Sequence, residues 1–131
     1  MPRSLSIRHD DPPGETVAVL RGGTMSTGSI VRSAQRTFAV YAVLGVSVEA
    51  VEEGSLRDAC RSERISGYRM VRLSTFARVR AAGFALLATF ERPHYTLVLP
   101  DLSEVTIARL DRCFDPPIAN PGRLAGGSLK L

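Results

Sequence analysis

Lysine is nearly missing from this 131-residue chain: Lys130 is the only one among seventeen basic residues, and the rest are arginine. Any phosphate or carboxylate held at its surface is therefore held by planar guanidinium forks, not by ammonium groups. Cysteine is equally sparse. Cys60 and Cys113 lie far apart with no CxxC or CxxxH spacing, which argues against a metal or redox motif and for two buried thiols in a reducing compartment. No run of about twenty apolar residues is present, and MPRSLSIRHDDPPG lacks the apolar stretch of a secretory leader. A cytoplasmic chain without a membrane span is expected. The acidic clusters, Asp10 with Asp11, Glu52 with Glu53 and Asp111 with Asp115, have no His or Cys at ligand spacing on a rigid element. The GK[ST] and GxGxxG signatures are missing as well, so neither a metal nor a cofactor is expected. No internal repeat of 20 to 50 residues occurs.

What is present describes one small globular unit. An apolar fraction of 44% against 23% charged is ordinary for a folded domain, and the length suffices for a core without staples. The expected organisation is an extended arm over 1–14, a single domain over 15–122 and a tail over 123–131. The net charge of +4, carried by arginine, is compatible with RNA or another acidic partner, although a GC-rich coding bias produces the same excess.

Periodicity divides the domain. TVAVLR, residues 16–21, suits a strand covered on both faces. Ile30, Ala34, Phe38 and Ala42 recur every four residues, which predicts a helix over 27–43, started by Ser26 or Thr27 and ended by Gly45. VSVEAV, residues 46–51, alternates apolar against Ser47 and Glu49. Ser55 with Asp58 opens a short helix, YRMVRL at 68–73 alternates as a strand, and Ser74 caps a helix closed by Gly83. FALLATF and HYTLVLP form a hairpin, and DLSEVTIARLDRCF is a last helix capped by Asp101 or Ser103. The prolines of DPPIANPG stop it. The order β-α-β-α-β-α-β-β-α gives an α/β (or α+β) fold, a sheet of about five strands covered by helices.

Two places carry candidate chemistry. In RGGTMSTGS a strand end meets a helix start, where backbone N–H groups favour an anion; Arg21, Gly22, Gly23, Ser26 and Thr27, with Arg92 further on, form the candidate phosphate site. In the hairpin, His94, Thr96 and Val98 share one face and Tyr95, Leu97 and Leu99 the other. His94 and Tyr95, with Arg69 and Arg72, form a candidate constellation for RNA cleavage without metal, in which arginines stabilise the charge on phosphorus. Tyr68 is a further companion.

Three resemblances accompany this reading. His94-x-Thr96 resembles one half of the paired H-x-[ST] motif of two-histidine phosphoesterases, but the second half is missing. Arg21, the pair Ser74 and Thr75, and a later carboxylate, Glu91 or Glu104, resemble the Arg, Ser-Thr and Glu order of ADP-ribosyltransferases; that resemblance implies an arginine on dinucleotide phosphates and a glutamate orienting a ribose. The succession VLRGG, GVSVEA, LSTFARVRAAGFALLATFERPHYTLVLPDL and NPG resembles a group of small proteins of high-GC bacteria and their mobile elements, over residues 9–122, and implies no activity. The leading expectation is a small basic RNA-directed, toxin-like protein that either cleaves RNA without metal, as a metal-independent ribonuclease, or blocks it by binding. Its alternatives are a protein-interaction module, antitoxin-like or an assembly subunit, working as a complex or homodimer, and an NAD-using transferase.

Overall fold

Val17, Ala18, Val19 and Leu20 are all buried, and this four-residue run, apolar on both faces, lies near the middle of the sheet. The computed structural model describes residues 2–8 and 17–123. His9, Asp10, Asp11 and the DDPPG turn, with nearly all of the expected tail, lie outside the described residues. Among the described residues the strands are β1 (Val17–Gly22), β2 (Gly45–Glu52), β3 (Met70–Thr75), β4 (Ala85–Ala88), β5 (His94–Val98) and β6 (Ile118–Ala119). The helices are α1 (Thr27–Tyr41), α2 (Leu56–Cys60), α3 (Glu63–Ser66), α4 (Phe76–Ala81) and α5 (Glu104–Arg112).

The six strands form one sheet in the order β4-β5-β2-β1-β3-β6, and every pairing is antiparallel. The fold is a small α+β domain, not the alternating α/β type. α1 returns the chain to an antiparallel neighbour, β2, whereas the helices after β2 and β3 carry it across the sheet to strands that run parallel to the one left but are not hydrogen-bonded to it. The sixth strand is β6, two residues inside DPPIANPG. Its prolines do end α5, yet Ile118 and Ala119 still pair with Val71 and Met70.

The sheet has two unlike faces. One packs against α1, α4 and α5, where Val19, Val46, Val48, Tyr95 and Leu97 meet Ile30, Ala34, Val79, Ile107 and Leu110 in the main core. The other carries a much smaller apolar cluster, Leu20, Cys60, Ile65 and Val71, under α2 and α3. Both cysteines are buried and unpaired. Burial raises the thiol pKa of each, Cys113 to about 11, so neither is a ready nucleophile. No helix among the described residues is long and apolar enough to cross a membrane.

Several local expectations change. The helix after β1 starts at the Ser26 cap but ends at Tyr41, with Ala42 in the left-handed region at φ 59°; Gly45 instead opens β2. Ser55 makes no side-chain cap; a 3₁₀ turn over Glu53–Ser55 leads into α2, and α3 follows separately. Thr75, the last residue of β3, caps α4, while the Ser74 hydroxyl is committed to the Cys113 carbonyl. At α5 the cap is Ser103, itself bonded to Asp101.

Candidate functional site

The alternation of β2 sends Val46, Val48 and Ala50 into the main core and turns Ser47 and Glu49 to the sparsely covered face. Register with β5 then places Ser47 opposite Thr96 and Glu49 opposite His94. The pattern of β5 is as the sequence indicates, with Tyr95, Leu97 and Leu99 in the core. The result is a polar strip on the two strands. Beside it β1 and β2 stop pairing at Leu20 and Glu49, and Arg21, the next residue of β1, donates Nη1 to the Ser47 carbonyl at 2.6 Å.

A cavity of about 170 Å³ opens over this strip. Its floor is the sheet, through Arg21, Ser47, Glu49 and His94, and its wall is the segment that supplies Arg64 and Tyr68. Tyr68 lies flat over the β1 terminus: a Cβ on Gly22 would come within 2.2 Å of its ring. Tyr68 as a whole remains 48% exposed. An aromatic face is thereby held against backbone and left open toward solvent.

Glu49 is 3% exposed, and its Oε1 is buried without a hydrogen-bond partner. Burial pushes its carboxyl above the ordinary 4.5, against the pull of the Arg64 guanidinium. Arg21 also has a buried, unpartnered Nε; burial lowers its pKa, but a guanidinium stays charged. Glu49 and Arg21 both contribute to the lining of the cavity, and each has one buried polar atom without a partner. Such groups are costly in an empty site and are satisfied by a polar ligand.

His94 is differently placed. It is 5% exposed, with Nδ1 at 2.8 Å from Thr89 Oγ1 and Nε2 at 3.0 Å from Ser47 Oγ. Thr89 Oγ1 also meets Thr96 Oγ1 at 2.8 Å, and the Phe90 ring packs on the imidazole at 5.2 Å. Behind it, Arg8 Nη1 donates to the carbonyls of Thr89 and His94. Burial holds the imidazole below the ordinary 6.5, helped by Arg64 and Arg8 against the hydrogen bond at Thr89. A neutral ring with both nitrogens engaged results.

The structure brings Arg21, Gly22, Tyr68 and His94 together, and leaves the other sequence candidates elsewhere. Tyr95 lies on the core face, edge-on to Phe76 and under the Arg8 guanidinium. Arg72 is 5% exposed and directed to the end of α5, where it bonds Asp111 and the carbonyls of Phe114 and Asp115. Arg69 is exposed, its carbonyl accepting from Asn120 N–H. Arg92 sits on the exposed β4–β5 turn, and the peptide after it, to Pro93, is cis. Gly23, at φ 88°, carries the turn out of β1. Ser26 and Thr27 line a separate depression with Glu104 and Asp111, whose carboxylates oppose an anion at that helix start.

The transferase-like set is also dispersed. Ser74 is in the core and Thr75 caps α4, as described above, while Glu91 lies on the exposed turn. Glu104 starts α5. The carboxylate beside Arg21 is Glu49, and the nearby serine is Ser47. Both were visible in the sequence as the polar face of VSVEAV; the signal was a glutamate in the interior of a strand otherwise made of apolar and small residues.

No family model, no curated protein and no solved structure matches the chain.

Proposed function

We propose that the cavity binds a dinucleotide of the NAD class and promotes cleavage of its N-glycosidic bond, with transfer of the ADP-ribosyl group to water or to a nucleophilic side chain of an acceptor. The carrying observation is the pair of buried, unpartnered polar atoms, Glu49 Oε1 and Arg21 Nε, on residues lining one cavity. Arginines at 21 and 64 suit the pyrophosphate. The open face of Tyr68 suits a planar ring.

The chemistry asks for little else. As the C1′–N1 bond breaks, the pyridinium ring takes the bonding pair and leaves as neutral nicotinamide, so no general acid is needed. Positive charge develops on the ribose, and a carboxylate held in a dry pocket stabilises it. The acceptor oxygen or nitrogen then bonds to C1′ and releases its proton to Glu49 or to solvent. A cationic ligand also draws Glu49 toward its ionised form, reversing the effect of burial.

A second reading, RNA cleavage without metal, is favoured by the cross-strand placement of Glu49 against His94, an arrangement suited to an acid and a base. It ranks second because that reaction needs two proton carriers, and both His94 nitrogens are already engaged with hydroxyl groups. One experiment separates the two. Purified protein is incubated with NAD and, in parallel, with RNA, and nicotinamide and RNA fragments are quantified by chromatography. Nicotinamide release that falls about 100-fold in Glu49→Gln supports the first reading; RNA cleavage with NAD intact overturns it in favour of the second.

A further inference from the structure

We propose that Asn120 is a positioning residue for the ligand-facing wall of the cavity, holding Arg64 and Tyr68 in place from the far end of the chain. The inference rests on the NAD reading for its ligand. Asn120 follows β6 and is 8% exposed. Its Nδ2 donates to the carbonyls of Ile65 and Tyr68, both at 2.9 Å, and its backbone N–H donates to the Arg69 carbonyl at 2.9 Å. Its Oδ1 accepts from Gly122 N–H at 2.9 Å, so a single amide closes the NPG turn and grips the 65–69 segment.

That segment has little else to hold it. The apolar cluster beneath it is four buried residues, Leu20, Cys60, Ile65 and Val71, against the far larger core on the other face of the sheet. The Ile65 carbonyl, which already accepts from Tyr68 N–H, and the Tyr68 carbonyl both accept from the Asn120 side-chain amide, which ties the end of the short helix to the residue that carries the ring. Gly122 seats the turn: a Cβ there would stand 2.3 Å from the Cys60 backbone, so the chain passes against the end of α2 where only glycine fits. The floor groups Glu49 and Arg21 belong to the central strands and do not depend on this clip. Asn120 therefore governs how tightly the dinucleotide is held, and not the bond-breaking step.

The full chain, its Asn120→Asp variant and its Gly122→Ala variant are compared by hydrogen exchange over residues 61–69, by NAD titration calorimetry and by steady-state nicotinamide release. Asn120→Asp keeps the Oδ1 acceptor and loses the two donations. Faster exchange in that segment is expected, with NAD affinity and KM weakened about tenfold and kcat kept within about twofold. A folded variant with unchanged exchange, or with faster exchange but unchanged affinity, overturns the proposal. Should both variants unfold, the wild type decides: slow exchange of the Asn120 side-chain amide and its shift on NAD addition support the role, and a freely exchanging amide refutes it. Failure of the wild type to bind NAD counts against the dinucleotide reading, while the exchange comparison still decides whether Asn120 holds the wall.

Discussion

Glu49 and His94 are direct partners across the β2–β5 ladder, so a buried carboxyl and a buried imidazole stand side by side on the sparsely covered face of the sheet. Burial moves their pKa values toward each other, Glu49 upward and His94 downward. Both are therefore shifted toward their neutral forms.

For Glu49 the consequence appears on the alkaline side. Above about pH 4.5 the unfolded chain has released this proton while the folded chain retains it, so the folded state binds more protons and stability from this group declines as pH rises through the folded pKa. Glu49→Gln, neutral throughout, is expected to melt above the wild type at pH 8, with the gap closing below pH 4.5. Thermal melts at a series of pH values check it, and equal melting temperatures at pH 8 would contradict the burial argument.

The sign for His94 is the opposite. Between its lowered pKa and 6.5 the unfolded chain binds more protons than the folded one, so stability is present above 6.5 and is lost as pH falls through the folded pKa. Denaturant midpoints taken from pH 7.5 down to pH 5 are expected to drop less steeply in His94→Gln than in the wild type. Parallel curves would show that the imidazole titrates as in the unfolded chain.

Arg72 separates stability from activity. Its guanidinium spans Asp111 and three backbone carbonyls at the end of α5, and Arg72→Ala is expected to cost about 3 kcal/mol in urea denaturation. Arg72→Lys recovers less than half of that, since one ammonium cannot cover the fork's acceptors. At temperatures where the variants stay folded, nicotinamide release is expected to match the wild type. A specific loss of turnover would place Arg72 in the site.

Gly22→Ala tests the ring platform. The added methyl collides with the Tyr68 ring and displaces it, which is expected to weaken NAD binding about tenfold. In a Tyr68→Ala background the same substitution has nothing left to displace and should add little. Full additivity in calorimetry would mean that the two residues act separately.

Much of this fold was legible where a period was long or strict. The helix α1, the alternation of β2 and the hairpin of β4 and β5 all appear close to where the sequence puts them, although of the four-residue repeat only Ile30 and Ala34 are buried, while Phe38 is exposed and Ala42 lies past the helix end. Short polar-to-apolar transitions were not. The Ser74 hydroxyl is committed to the Cys113 carbonyl, 39 positions away, and β6 exists because β3 offers it an edge. The site was half visible. Arg21 and His94 stood out as residue types, but Glu49 gained its meaning only from register, which sets it against His94 and not one position along. Arg72 and Tyr95 were credible chemical groups whose strand faces turned them to the other side of the sheet.

The division between floor and wall has a consequence for how this molecule can change. The floor residues Arg21, Ser47, Glu49 and His94 belong to the paired strands β1, β2 and β5, whose register fixes their places. The wall is a short excursion between β2 and β3, clipped from behind by one turn. If the proposed activity holds, exchanging that excursion with its Asn120 clip kept should change ligand preference while leaving the floor residues as they are, and a library confined to residues 61–69 is the natural place to seek it.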